Sequence, residues 1–292
     1  MPELPEVETI VRDLRIKVLN RTFIDVWTDT PKIIKKPGSF EDFQRKLKGK
    51  KIKKVWRRAK NIILELSDGY SLLIHQKLTG HLLAGNWELL MQKWQPLQIG
   101  PLEERVNLYI HLMFWLTGDL MLALSDLRKF AKVELWDTSE LKNSKGFKEL
   151  GPEPLNFSFN LRKFKKIIKN KKGKIKQVLM DQKVIAGIGN IYSDEALWRA
   201  KIHPLKTASQ LNNQELKKLY KSIKIVLKKG IKLRGESISD FRDLQGKKGS
   251  FDIERKVYQR EGEKCSHCGG IIKRLKIGGR SAHYCSSCQP IR

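Results

Sequence analysis

Between residues 5 and about 19, Val7, Ile10, Val11, Leu14 and Val18 recur every three or four positions, the period of one buried helix face. Pro5 suits the first turn of that helix, and Glu6 and Glu8 complement the positive end of its dipole. The pattern then becomes strand-like. Residues 55–66, a turn at Asp68-Gly69 and residues 70–75 read as a hairpin; residues 107–116, a turn at Gly118-Asp119 and residues 120–124 read as another. Residues 87–101 show neither period and read as a loop or inserted connection. One helix followed by many short strands predicts a β-sandwich for the first half.

Gly151-Pro152-Glu153-Pro154 marks a boundary, and beyond it the helical period dominates. Helices are predicted over 161–170, 174–181, 191–201 and 215–229, the last with Leu216, Leu219, Ile223, Val226 and Leu227 as its buried stripe. Ala186-Gly187-Ile188-Gly189-Asn190 is a tight glycine turn that delivers Asn190 to a helix start. A polar loop over 234–250 precedes a cysteine-bearing module. The expected architecture is α+β and multidomain, divided into 1–150, 151–250 and 251–292.

Charge changes this picture. The 292 residues include 59 lysines and arginines against 31 acidic residues, a formal net charge of +28. Such an excess points to a polyanionic partner, nucleic acid before an anionic membrane surface. A membrane surface is disfavoured because the basic stretch 162–176 lacks an aromatic, apolar face. The most apolar stretch, 108–124, is broken by Gly118-Asp119 and carries His111, so it reads as a buried hairpin rather than a membrane span. With acidic residues where a signal peptide would be basic, a cytoplasmic, nucleoid-associated protein is expected.

All four cysteines lie near the C-terminus as two C-x-x-C knuckles, Cys265/Cys268 and Cys285/Cys288, enclosing residues 269–284. Each knuckle lets two thiolates reach one metal, and two knuckles complete a tetrahedron without an open position. One structural Zn²⁺ is expected. His267 and His283 lie beside the knuckles, but four thiolates already fill the shell. Between the knuckles, Gly278-Gly279-Arg280 reads as a turn that displays a guanidinium suited to bidentate phosphate binding.

The N-terminus carries candidate chemistry of another kind. Once Met1 is removed, Pro2 presents a secondary amine, with Glu3 and Glu6 within one helical turn. A terminal amine titrates near pH 8 against roughly 10.4 for lysine, so it is substantially unprotonated in the cell. It can attack a carbonyl-like carbon and form an iminium, a strong electron sink. A carboxylate beside it can supply and accept protons in turn. Glu6 could equally cap the helix.

The opening Met1-Pro2-Glu3-Leu4-Pro5-Glu6-Val7-Glu8-Thr9, the run from Asp181-Gln182 through Gly187-Ile188-Gly189-Asn190-Ile191-Tyr192 to Asp194-Glu195-Ala196-Leu197, and Gly278-Gly279-Arg280 with His283-Tyr284-Cys285 together resemble the formamidopyrimidine-DNA glycosylase family. Gly151-Pro152-Glu153-Pro154-Leu155 and Lys60 also match, in the same order along nearly the whole chain. The resemblance implies a β-sandwich with a flanking helix, a helix–two-turn–helix domain and a zinc finger. It implies a base-excision repair enzyme that acts on damaged double-stranded DNA as a monomer. That enzyme removes 8-oxoguanine and formamidopyrimidines, then cleaves the abasic site by β,δ-elimination. Carried over by position, Pro2 is the nucleophile on the sugar C1′ and Glu3 the acid at the sugar oxygen. Lys60, Asn190 and Arg280 hold phosphates around the flipped nucleotide. Arg128 and Phe130 enter the duplex, Arg128 meeting the orphaned cytosine and Phe130 wedging the stack. Glu6 is placed with the DNA-contacting set.

This chain also departs from the family pattern. The usual His-Leu-Gly-Met-Ser-Gly is His75-Gln76-Lys77-Leu78-Thr79-Gly80, so Leu78 replaces the methionine that plugs the vacated stack, with similar volume. Asp126-Leu127-Arg128-Lys129-Phe130-Ala131 replaces Asp-Pro-Arg-Arg-Phe-Gly, which predicts a looser loop. The stretch 234–250, with Ser237-Ile238-Ser239-Asp240-Phe241, aligns with the loop that covers the damaged base. An enzyme for oxidised pyrimidines, as in endonuclease VIII, is the nearest rival, but such chains typically carry glycine where this one has Leu4. A non-catalytic zinc-finger protein is the rival of another class, and the joint presence of Pro2, Glu3, Lys60, Asn190 and Arg280 argues against it.

Overall fold

A computed structural model describes residues 1–237 and 240–291 and divides the chain into two compact units. The first comprises Met1–Lys148 with Leu233–Asp252, the second Glu149–Lys232 with Ile253–Arg292. Ile238 and Ser239 of the expected base-covering stretch lie outside the described residues.

The first unit begins with α1 (Leu4–Lys17), whose apolar stripe Val7, Ile10, Val11 and Leu14 is fully buried, as the sequence period requires. Its strands are β1 (Phe23–Thr28), β2 (Ile34–Lys36), β3 (Ile52–Arg58), β4 (Asn61–Leu66), β5 (Tyr70–His75), β6 (His81–Gly85), β7 (Trp87–Leu90), β8 (Lys93–Pro96), β9 (Ile110–Leu116), β10 (Leu120–Ser125) and β11 (Lys132–Asp137). Helix α2 (Phe40–Leu47) and the short α3 (Thr138–Asn143) and α4 (Lys145–Lys148) complete it. The strands form a four-stranded sheet, β1-β9-β10-β6, and a five-stranded sheet, β2-β11-β5-β4-β3. Alternate residues of both sheets, among them Phe114, Leu122, Ile62 and Ile74, enter one core with the stripe of α1. This is the expected sandwich with its flanking helix.

Two local expectations need correction. Residues 55–66 are not one strand: the chain reverses at Ala59-Lys60, where Arg58 pairs with Asn61, and Ala59 is left-handed at φ 53°. Nor are residues 87–101 a structureless insertion. β7 and β8 pair around Met91-Gln92, which take φ values of 45° and 63° without the glycine or asparagine that usually marks such a turn. Trp87 and Trp94 of this hairpin cover Met113, Met121 and Ala123 on the outer face of the four-stranded sheet. Strand β9 is therefore apolar on both faces.

The second unit holds α5 (Leu161–Lys169), α6 (Ile175–Met180), α7 (Asn190–Ala200) and α8 (Asn213–Lys232), within a residue or two of the predicted helices except at the C-terminal end of α8. All five stripe residues of α8 are buried. A two-stranded hairpin, β12 (Ile272–Ile277) and β13 (Arg280–Cys285), ends the unit. Among the described residues no helix is long and apolar enough to cross a membrane.

Candidate functional site

In the first unit the N-terminal residues are packed rather than frayed. Pro2 is buried and Glu3 is only 2 % exposed. The Glu6 carboxylate accepts the backbone N–H of Glu3 at 2.7 Å and that of Glu236 at 2.8 Å, pinning the helix start to the segment around Gly235. Glu6 is itself only 2 % exposed. Its buried carboxylate serves the backbone, the capping alternative read from sequence. Gly235, at φ 86°, leaves room there, since a Cβ would lie 2.7 Å from Glu6 Oε1.

The terminal amine, carried here by Met1, has its pKa lowered, mainly by burial. Glu3 and Glu6 oppose that shift, and Lys60 adds to it. These charges thus share one electrostatic environment. Lys60 lies in the β3–β4 turn and is 6 % exposed, not the solvated surface charge its composition suggests.

Two loops of the same unit carry the residues expected to form the wedge. Phe130 is 51 % exposed and Leu127 49 %, while Arg128 lays its guanidinium over the Phe130 ring at 4.8 Å. Leu78 is half-buried on the loop between β5 and β6. The loops are joined by Asp126, which is 1 % exposed. One oxygen accepts the Thr79 hydroxyl and, at 3.3 Å, the Arg128 N–H; the other accepts the Ala131 N–H at 2.7 Å. Thr79 Oγ1 also accepts the Arg128 N–H at 3.1 Å. The looser loop expected from the lost proline and glycine is thus restrained by a buried carboxylate, with Lys129 left-handed at φ 55°. On the other loop, His75 Nδ1 accepts the Lys77 N–H at 3.0 Å, fixing Lys77 at φ 58°. Burial, then Lys77, Lys60 and Lys132, hold the His75 pKa down to about 3.

In the second unit, Gln182 shapes the glycine turn before α7. Its amide donates to the Met180 and Ile188 carbonyls at 2.9 and 2.7 Å, and its oxygen accepts the Gly187 N–H at 2.8 Å. Asn190 is thereby set, half-buried, as the first residue of α7. Sequence reasoning missed the buried ion pair beneath it. Lys176, fully buried, meets Asp194 at 2.7 Å and donates to the Asn190 carbonyl at 2.8 Å. Asp194 also accepts the His283 backbone N–H at 3.0 Å, so one carboxylate connects α7 with β13. Lys176 was hidden inside a lysine-rich run, where nothing local distinguishes a buried ammonium from a solvated one.

Arg280 begins β13, exposed, after a two-residue turn in which Gly278 and Gly279 have φ of 54° and 77°. A Cβ on Gly278 would lie 2.3 Å from Gln177 Nε2, so a larger residue there would have to displace the Gln177 side chain as well as adopt the left-handed φ. Beyond the hairpin the four cysteine sulfurs lie within 4.8 Å of one another. Cys268 Sγ is 3.4 Å from Cys285 Sγ and 3.3 Å from Cys288 Sγ, and Cys265 Sγ is 3.8 Å from Cys288 Sγ. Sulfurs 2.3 Å from a tetrahedral zinc lie about 3.8 Å apart, so the four fit a closed zinc site. Neither neighbouring histidine is needed: His283 Nδ1 faces Asp194 and His267 Nε2 faces Lys201 Nζ.

The family model of the formamidopyrimidine-DNA glycosylase N-terminal domain matches residues 1–133, that of the formamidopyrimidine-DNA glycosylase H2TH domain 150–242, and that of the zinc finger found in FPG and IleRS 262–291. The formamidopyrimidine-DNA glycosylase of Desulforamulus reducens is 41 % identical over 290 residues, 99 % of each chain. That of Bacillus cereus is 36 % identical over the same 99 % of each. The Lactococcus lactis Fpg solved with abasic-site DNA superposes with a TM-score of 0.86 at 35 % identity, covering 99 % of this chain and all of that one. The wild-type Lactococcus lactis Fpg solved with N7-benzyl-Fapy-dG DNA gives the same values.

Proposed function

The chain belongs to the formamidopyrimidine-DNA glycosylase family, and on that premise we propose that Pro2, freed by removal of Met1, is the nucleophile of its reaction. The protein is a base-excision repair glycosylase acting on damaged DNA, with the accompanying lyase activity typical of the family. Its zinc is structural, held by Cys265, Cys268, Cys285 and Cys288.

The carrying observation is the packed N-terminus. A secondary amine at Pro2 would inherit the surroundings that now lower the Met1 amine, favouring the unprotonated nucleophile. Attack at C1′ forms the C–N bond as the glycosidic bond breaks and the base leaves with a proton. Glu3, beside the amine and buried, is assigned the proton transfer that opens the sugar at its ring oxygen. The resulting iminium acidifies the C2′ hydrogen. Loss of that proton expels the 3′ phosphate, and a second elimination expels the 5′ phosphate. Lys60 is assigned to a phosphate beside the attacked sugar, and Asn190 and Arg280 to flanking phosphates. Leu78, Arg128 and Phe130 are assigned to the space left by the extruded nucleotide, whose flipping costs a few kcal/mol. Oxidised purines are the proposed lesions. The functional division at 1–150, 151–250 and 251–292, action as a monomer and residence at the nucleoid belong to the same reading.

Borohydride added during reaction with an abasic duplex should trap one protein–DNA adduct attached through Pro2. A Pro2→Gly variant that retains Met1 and traps equally well would place the nucleophile elsewhere.

A further inference from the structure

At one end of the five-stranded sheet a cavity of about 480 Å³ opens beside the wedge, lined by Lys32, Lys35, Lys77 and Lys129 together with Leu78 and Phe130. Its lysines come from three places in the chain that the fold brings together. Lys32 lies just before β2 and Lys35 in it, and β2 runs parallel to β11 with Ile34 opposite Val133. Lys129 precedes β11, and Lys77 follows β5, whose His75 pairs with Lys132. Lys77 and Lys129 both adopt left-handed backbone, each beside a loop bond described above.

Their charges are uncompensated. Adjacent lysines are paired: Lys36 meets Glu140 at 2.7 Å and lies over the Trp136 ring, and Lys132 meets Glu134 at 2.9 Å. Among the described residues, no carboxylate pairs with any of the four around the cavity. Four ammoniums about one small opening repel one another unless an anion joins them. Lysine is a point-charge phosphate binder, tolerant of geometry.

Sheet order indicates which phosphate. Lys60 sits in the β3–β4 turn at this same end, because Ile62 pairs with Ile74 beside His75. Across the order β2-β11-β5-β4-β3 it lies near one edge, while Lys32 and Lys35 lie at the other. Four strand spacings separate those edges by about 19 Å, comparable to the breadth of a duplex. Leu78 and Phe130 stand between them.

We propose that the Lys32–Lys35–Lys77–Lys129 pocket seats a backbone phosphate of the undamaged strand, opposite the strand whose sugar is attacked. This rests on the reading of Leu78 and Phe130 as the wedge. Lysine at 129 then anchors the complementary strand, and the seat holds the duplex against the wedge while the lesion nucleotide is extruded.

The full-length zinc-bound protein with Lys32→Ala and Lys35→Ala, both exposed positions, tests this. Binding to a tetrahydrofuran abasic-site analogue is measured in a duplex and in a single strand, across a salt series. Duplex affinity should fall about five- to tenfold, and the slope of log affinity against log salt should lessen by about one to two. Single-strand binding should be unchanged. The equal-charge variant Lys142→Ala with Lys145→Ala should lose less than twofold. Neutral methylphosphonate linkages in the undamaged strand opposite the lesion should abolish the difference between variant and wild type; the same linkages in the damaged strand should not. Equal loss on duplex and single strand, equal loss in the charge control, or no loss at all would overturn the seat. A Phe130→Ala variant that unstacks 2-aminopurine beside the lesion as well as wild type would instead refute the wedge, and the seat with it.

Discussion

Single side chains decide how the loops carrying Leu78 and Phe130 are held. Asp126 holds three donors from two loops, and its removal leaves the buried Ala131 N–H unanswered. Asp126→Ala should cost about 2–4 kcal/mol in urea unfolding and impair excision beyond that loss of stability. Thr79→Val, which keeps the carboxylate, should cost only about 1 kcal/mol. His75 acts in the same loop through its neutral ring, which accepts the Lys77 N–H. Its pKa is about 3 folded, against an ordinary 6.5. Between those values the unfolded chain binds the extra proton, so stability from this residue falls as pH drops from 6.5 toward 3 and is constant above. Unfolding midpoints at pH 7.5 and 5.0 should differ less in His75→Asn than in wild type. An equal difference in both would remove His75 as the cause.

Between elements, two buried carboxylates hold the second unit's functional segments in place. Asp194 joins α6, α7 and β13 through Lys176 and His283. Glu195 accepts the consecutive backbone N–H groups of Lys256, Val257 and Tyr258, fastening α7 to the approach to the finger. Lys176→Met strands the Asp194 charge and should destabilise by about 3–5 kcal/mol in denaturant titration. If that variant unfolds like wild type, the Lys176–Asp194 pair does not hold α6 to α7. The same element-scale logic explains what was hidden in the sequence. Helices α5 to α8 were legible because each carries its own buried stripe at helical spacing. The β7–β8 hairpin was not, because its turn lacks the usual residues and its tryptophans are apolar only toward a sheet formed elsewhere.

For the whole molecule, charge and metal dominate. A net charge of +28 predicts that duplex affinity falls steeply, by about three orders of magnitude between 50 and 200 mM salt if six phosphates are neutralised. A flat response would count against phosphate-dominated binding. The finger's own apolar cluster is small, built around Val257, Cys265, Ile272 and Cys285, so its fold should depend on zinc. Chelation should release one zinc per chain and abolish duplex binding while leaving the β-rich circular dichroism of the first unit in place. Metal analysis finding no zinc in active protein would refute that role.

The amino-acid order alone determined the sandwich, the helices and the zinc ligands, because period and spacing are local properties that survive without a partner. Pro2 was read from the chemistry of a terminal amine, and Glu3 was chosen over Glu6 only by family resemblance. Burial of Lys60, Lys176 and Glu6, the Asp126 linkage between two loops, and the gathering of four distant lysines beside Phe130 were decided only in three dimensions. A lysine codon looks the same whether its ammonium meets water, a carboxylate or a phosphate. Sheet order and packing choose among them.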